Sequence, residues 1–161
     1  MMKHFDIRIA LLFILLILSR VTLATSPLDV ALSNFQDGQY DAALEDFRIL
    51  HSESPEDPDL TFYLARSLYR KLELKTAQTL LTKSLKAYPD HVESHYLLGS
   101  VQLSLVPEVN IFRKASLAKK SVNSWEQAVE LDPSHAEALY GVASFYSSAP
   151  AIVGGDKNLG E

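Results

Sequence analysis

The stretch PDHVESHYLLG, residues 89–99, has two counterparts in the chain: PEDPDLTFYLA at residues 55–65, 34 positions earlier, and PSHAEALYGVA at residues 133–143, 44 positions later. In each, a proline is followed by an aromatic side chain (Phe62, Tyr96, Tyr140) and then by a small residue (Ala65, Gly99, Ala143). The pairs Ala31/Ala65, Ala43/Ala77 and Phe47/Leu81 keep the spacing of 34, and Leu81/Trp125 and Leu98/Val142 keep the spacing of 44. One constant longer step across a whole unit means a ten-residue insertion into a repeat. A period in this range marks a stacked array rather than a single closed core.

Each unit reads as two short amphipathic helices, because apolar residues fall at helical spacing and a turn marks each join. In the first unit they span about Pro27 to Asp37 and Asp41 to Ser52, with Gly38 at the turn, where a positive φ costs glycine little. Start signals recur: Ser26 with Asp29, Asp90 with Glu93 and Ser134 with Glu137 each pair a capping side chain with an acid three residues on, which predicts helix starts at one phase of every unit. Pro27 and Pro58 suit the first helical position. Ala31, Ala65, Gly99 and Ala143 are expected to face Ala43, Ala77 and Ser121 at close approach, with Phe47, Leu81 and Trp125 filling the space a turn further on.

These positions, the period and the proline ending each unit resemble the tetratricopeptide repeat, TPR, over nearly all of residues 27–149. The resemblance implies an all-α fold: a helix-turn-helix solenoid wound as a right-handed superhelix, with about three and a half repeats. The units fall at about residues 25–57, 58–91, 92–135 with the insertion, and 136–161, the last incomplete. Leu50 and Ser84 stand where the family's repeat has alanine, a misfit expected to cost packing. Units of this size cannot bury enough apolar surface alone, so the faces shared between neighbours must make the array stable.

Ahead of the repeats, Lys3 and Arg8 precede the uncharged run IALLFILLIL, residues 9–18, and Thr22 and Ala24 supply small residues at cleavage-site spacing. This pattern predicts a signal peptide over residues 1–24, cut after Ala24, and hence a secreted or periplasmic protein. A bilayer span needs about 20 apolar residues, so an uncleaved membrane anchor is the weaker alternative. The chain has no cysteine, and packing alone must supply its stability. Removing residues 1–24 leaves 12 basic and 19 acidic side chains, a formal net charge of −7, which argues against nucleic acid as a partner.

His91 and His95 lie one helical turn apart, yet they do not read as a metal site. His91 recurs as His135, and Glu93 offers no third ligand on the same face. The acids Glu53, Glu56, Asp57 and Asp59 read as a solvated turn. VGGDK, residues 153–157, lacks the glycine spacing of a phosphate-binding loop, and no serine sits in a nucleophile motif. No catalytic residue, cofactor or metal is expected.

In TPR arrays the first helices line the concave surface. The resemblance places Leu28, Leu32, Phe35, Phe62, Arg66, Tyr69, Tyr96, Ser100, Leu103, Tyr140, Ser144 and Ser147 there, with Leu28, Phe62, Tyr96 and Tyr140 as equivalents. Such a stripe suits capture of a protein or peptide, although aromatics also dominate cores. Arg66 is the sole cation among these residues, which argues against the carboxylate clamp of chaperone-binding TPR proteins. Arg113, Lys114, Lys119 and Lys120 in the insertion form a candidate basic docking patch for an acidic partner or an anionic lipid surface, unless they are simply a solvated face. Pro107 should break the preceding helix, and residues 111–120 should extend the next one backwards.

The end, ALYGVASFYSSAPAIVGGDK, resembles a segment of exported bacterial TPR proteins that leads into another helix, which leaves Val142, Ala143 and Tyr146 with nothing of their own unit to pack on. A truncated product, an oligomeric contact or a completing partner would each account for that. The expected role is a non-catalytic interaction scaffold of the bacterial cell envelope. The alternative is an accessory component of a periplasmic solute-uptake system.

Overall fold

The computed structural model describes residues 25–148; the predicted signal peptide, residues 1–24, and the VGGDK segment lie outside the described residues. Among the described residues seven α-helices follow one another: α1 (Pro27–Gln36), α2 (Tyr40–Glu53), α3 (Pro58–Arg70), α4 (Leu74–Ala87), α5 (Val92–Leu105), α6 (Ile111–Leu131) and α7 (Ala136–Ser148). A single 3-10 turn, Val106–Glu108, separates α5 from α6 and contains Pro107. Each helix packs chiefly on its neighbours in sequence, and α3 also touches α5. This is an all-α helical-repeat solenoid, with α1, α3, α5 and α7 in one layer and α2, α4 and α6 in the other.

The hairpins close because small residues meet where the helices come nearest. Ala31, Ala43, Ala65 and Ala77 are all fully buried. In the third hairpin the Ser121 hydroxyl donates to the Gly99 carbonyl at 2.7 Å, and a Cβ on Gly99 would lie 2.8 Å from the Ser121 carbonyl oxygen. The bulky residues of the second helices then wedge between units. The Phe47 ring stacks on Tyr63 of α3, centroids 5.3 Å apart, and Leu81 is fully buried at the equivalent place. Trp125 fills the third wedge, and its indole N–H donates to the Tyr96 carbonyl at 3.1 Å. Leu50 is half-buried against the first core. Ser84 is buried with its hydroxyl unpartnered, so the misfit there is an unmet hydrogen bond rather than excess volume.

Helices α3, α5 and α7 start at one common phase of the repeat, and α1 does not. The Ser26/Asp29 capping box of α1 is present, with both hydrogen bonds made. In α5 and α7, however, the caps are His91 and His135 rather than Asp90 and Ser134. His91 Nδ1 accepts from the Ser94 N–H and His135 Nδ1 from the Ala138 N–H, each at 3.2 Å. The Ser134 hydroxyl is engaged in the turn instead, donating to Asp132 at 2.7 Å. Those histidines stand where α3 has its Asp57 cap, whose carboxylate accepts from the N–H groups of Asp59 and Leu60. Pro27 opens α1 three positions later in the repeat than Pro58 opens α3.

The turn of the second hairpin is also unexpected. Gly38 has φ 76° in the first hairpin, and Leu72, its equivalent 34 residues on, has φ 61°. A non-glycine residue is strained in that region.

At the far end, Val142 and Tyr146 find partners in the preceding unit. Both pack against Val122 and Trp125 of α6 together with Phe145, while Ala143 stays exposed. The Tyr146 hydroxyl donates to Glu126 at 2.6 Å, and that bond to a carboxylate holds the phenol above its usual pKa. Trp125 thus ties α7 to the preceding hairpin. Among the described residues no helix is long and apolar enough to cross a membrane.

Candidate functional site

The layer of first helices bounds a concavity of about 430 Å³. Of the residues placed there by sequence, Phe35, Phe62, Arg66, Tyr69, Tyr96 and Ser100 line it, and Leu32 lines an adjoining depression with Phe35 and Arg66. Leu28, Leu103, Tyr140 and Ser144 lie outside it, all of them exposed. Arg70, Glu93, Leu97, His135 and Glu137 complete the wall, and the sequence does not mark them as binding residues.

The aromatic stripe is not one uniform surface. Phe62 is 6% exposed and Tyr140 is 76% exposed, although the two are repeat equivalents. The difference comes from the next unit. The imidazole of His91 covers Phe62 at a centroid distance of 6.1 Å, and that of His135 covers Tyr96 at 4.9 Å. Each capping histidine therefore sits on the aromatic residue of the unit before it. Phe62 belongs to the core, while Tyr96 keeps part of its ring accessible.

Arg66 is held in place by aromatic faces. Its guanidinium carbon lies 4.8 Å from the centroid of Phe35 and 5.8 Å from that of Phe62, two cation–π contacts that restrain the long side chain. Arg70 donates to the Tyr40 hydroxyl at 2.6 Å and lies over the same ring. Both cations come from α3 and face one end of the concavity. At the other end Glu93 and Glu137 flank His135, with Glu93 Oε1 3.6 Å from Nε2 and Glu137 Oε2 3.4 Å from Nδ1. The concavity is bipolar, with guanidinium donors at one end, carboxylate acceptors at the other and aromatic edges between.

The Nδ1 lone pair of His135 is used by the Ala138 N–H, which places the proton of the neutral ring on Nε2. That buried nitrogen has no hydrogen-bond partner. His135 is not free to act as a general base through Nδ1, because doing so would uncap α7. Next to it Asp132 accepts from both the hydroxyl and the backbone N–H of Ser134, which hold its carboxyl below the usual range. His91 and His95 are engaged separately: His91 Nε2 lies 3.1 Å from Asp59, and His95 Nε2 lies 2.7 Å from the Pro89 carbonyl.

In the insertion, Arg113, Lys119 and Lys120 are exposed, while Lys114 is half-buried on another side of α6. The candidate basic patch therefore keeps three of its four cations on one arc.

A family model described as Anaphase-promoting complex, cyclosome, subunit 3 matches residues 36–106. Among solved structures, TTC0263, a thermophilic TPR protein of Thermus thermophilus, superposes with a TM-score of 0.72 at 20% identity, covering 83% of this chain and 67% of that one. MamA of Desulfovibrio magneticus RS-1, residues 41 to the end, covers 73% of this chain and 80% of its own at 18% identity and a TM-score of 0.48. A MamA RS-1 double mutant, ArsTM, covers 79% and 86% at 17% identity and 0.47. The two lower scores have no bearing on the fold. No curated protein sequence matches significantly. With the hairpin geometry, these findings define a protein of the tetratricopeptide-repeat fold class.

Proposed function

We propose that the chain is a non-catalytic scaffold of the bacterial cell envelope that captures an extended polypeptide segment in its concave face. The observation that carries this reading is Arg66: an exposed residue whose guanidinium lies over the rings of Phe35 and Phe62, in a concavity that Glu93, Glu137 and aromatic side chains also line. A side chain fixed before binding loses little further freedom when a partner arrives, and arginine and tyrosine are favoured at binding hot spots. A polypeptide meets both ends of such a cleft, because its carboxylates or carbonyl oxygens suit the arginines and its N–H or ammonium groups suit the glutamates. The envelope location rests on the composition of residues 1–24.

The test is charge reversal at exposed positions that carry little of the core. Arg66→Glu and Glu137→Arg are expected to weaken binding of polypeptides recovered with the parent chain at least ten-fold, with thermal midpoints changed little. Unchanged capture by both variants would contradict the reading. So would loss of capture only in parallel with loss of helicity.

A further inference from the structure

The outer layer carries a second surface, made by α4 and the first half of α6, that the groove does not use. Helix α4 has Lys75, Lys83 and Lys86 and no acidic residue, and α6 has Arg113, Lys114, Lys119 and Lys120 with no acid before Glu126. Elsewhere in that layer α2 carries Asp41, Glu45, Asp46 and Glu53 against a single cation, Arg48. The segregation is steep for a chain whose formal net charge is −5.

The cations of the two helices share a face. Lys75 and Lys83 border one shallow depression with Thr79 and Leu80. Lys86 and Lys120 border another, between α4 and α6. One acid, Glu108, lies 3.7 Å from Lys75. At about 100° per residue, Phe112, Ser116, Lys119 and Asn123 fall along one line of α6, with Arg113 and Lys120 on the adjoining line. All six are exposed. Phe112 is 91% exposed, the most exposed large apolar side chain among the described residues.

The geometry points to this face as a docking surface for a bilayer containing anionic lipid, with Phe112 entering the headgroup boundary and Arg113, Lys119, Lys120, Lys83 and Lys86 meeting the lipid phosphates. Charge complementarity selects an anionic occupant. An acidic protein would need a matching pocket for the projecting Phe112 ring, whereas a lipid interface accepts an aromatic wedge rimmed by cations without shape matching. This inference does not depend on the groove, because the two surfaces share no residue.

The test places a reporter at the wedge of the full chain as Phe112→Trp. The parent chain has one tryptophan, Trp125, which is buried and supplies the reference signal. A reporter at position 112 reads this face alone, whatever residues 9–18 do with a bilayer. Vesicles of phosphatidylcholine with about one third phosphatidylglycerol are expected to shift the added emission to the blue and let brominated lipid quench it. Pure phosphatidylcholine should do neither, and high salt should reverse the effect by screening. Each cation near an anionic surface is worth about five-fold in partitioning, so Lys119→Glu with Lys120→Glu should weaken the response at least ten-fold. A reporter that stays in water on anionic vesicles overturns the inference. Equal quenching on both vesicle types overturns it too, as does indifference to the charge reversals or tight binding of an acidic polypeptide with no vesicle response.

Discussion

The indole of Trp125 lies where a side chain on Gly141 would have to go: a Cβ there would stand 2.7 Å from Cδ2 and 2.9 Å from Cε3. At the same register the earlier units pair Phe47 with Tyr63 and Leu81 with Leu97. The third junction trades sizes, with the largest wedge in the chain meeting the smallest residue. Gly99 makes matching room on the other side, where a Cβ would lie 2.6 Å from Cδ1 and Nε1 of the same ring.

Gly141→Ala should therefore destabilise the chain by about 1–3 kcal/mol, the usual cost of overfilling a packed core. Trp125→Leu restores the size found at Leu81 and should absorb much of that loss. A double-mutant cycle in urea checks this, and strict additivity of the two changes would show that ring and glycine are not in conflict.

Ser84 offers the opposite case. Its buried hydroxyl has no partner, and alanine is the residue its repeat position calls for. Ser84→Ala should raise stability by about 1 kcal/mol, the cost of one unsatisfied buried hydroxyl. The readout is a higher urea midpoint at unchanged slope.

Leu72 holds φ 61° at the turn between α3 and α4 and is 77% exposed, so its side chain gains little from burial. Leu72→Gly relieves about 1–2 kcal/mol of left-handed strain and gives back part of that through a freer unfolded chain. A net rise of about 0.5–1 kcal/mol is expected in thermal unfolding. Gly38→Ala, at the equivalent turn, should move the other way.

The histidine caps can be separated from their ring contacts. His135→Asn keeps a side-chain acceptor for the Ala138 N–H and loses the contact with Tyr96, whereas His135→Ala loses both. The alanine variant should be less stable than the asparagine variant by about 1 kcal/mol, the usual worth of an N-cap. Equal stabilities in urea would mean that the cap contributes nothing.

What the sequence revealed and what it hid divide along one physical line. The hairpins were legible because Ala31, Ala65 and Gly99 recur at fixed spacing against Phe47, Leu81 and Trp125, and contacts within a unit repeat whenever their residues do. The state of a surface residue was not legible, because it depends on the next unit: Phe62 and Tyr140 look alike in sequence, and only Phe62 has a following histidine seated on it. Glu93 meets His135 from another helix, a pairing no local spacing announces. Leu72 gave no sign of its left-handed backbone, since leucine rarely marks such a turn. The caps fell one residue from their expected places because histidine is not among the preferred capping residues.

The groove itself is tested most directly by site-specific photo-crosslinking in cells, with the reactive group placed at Ser100 inside the concavity or at Thr79 on the outer layer. A discrete polypeptide adduct from Ser100, lost when Arg66→Glu is added and absent from Thr79, is the predicted result. Adducts that form equally from both positions, or that survive the Arg66 reversal, would contradict capture by the concave face.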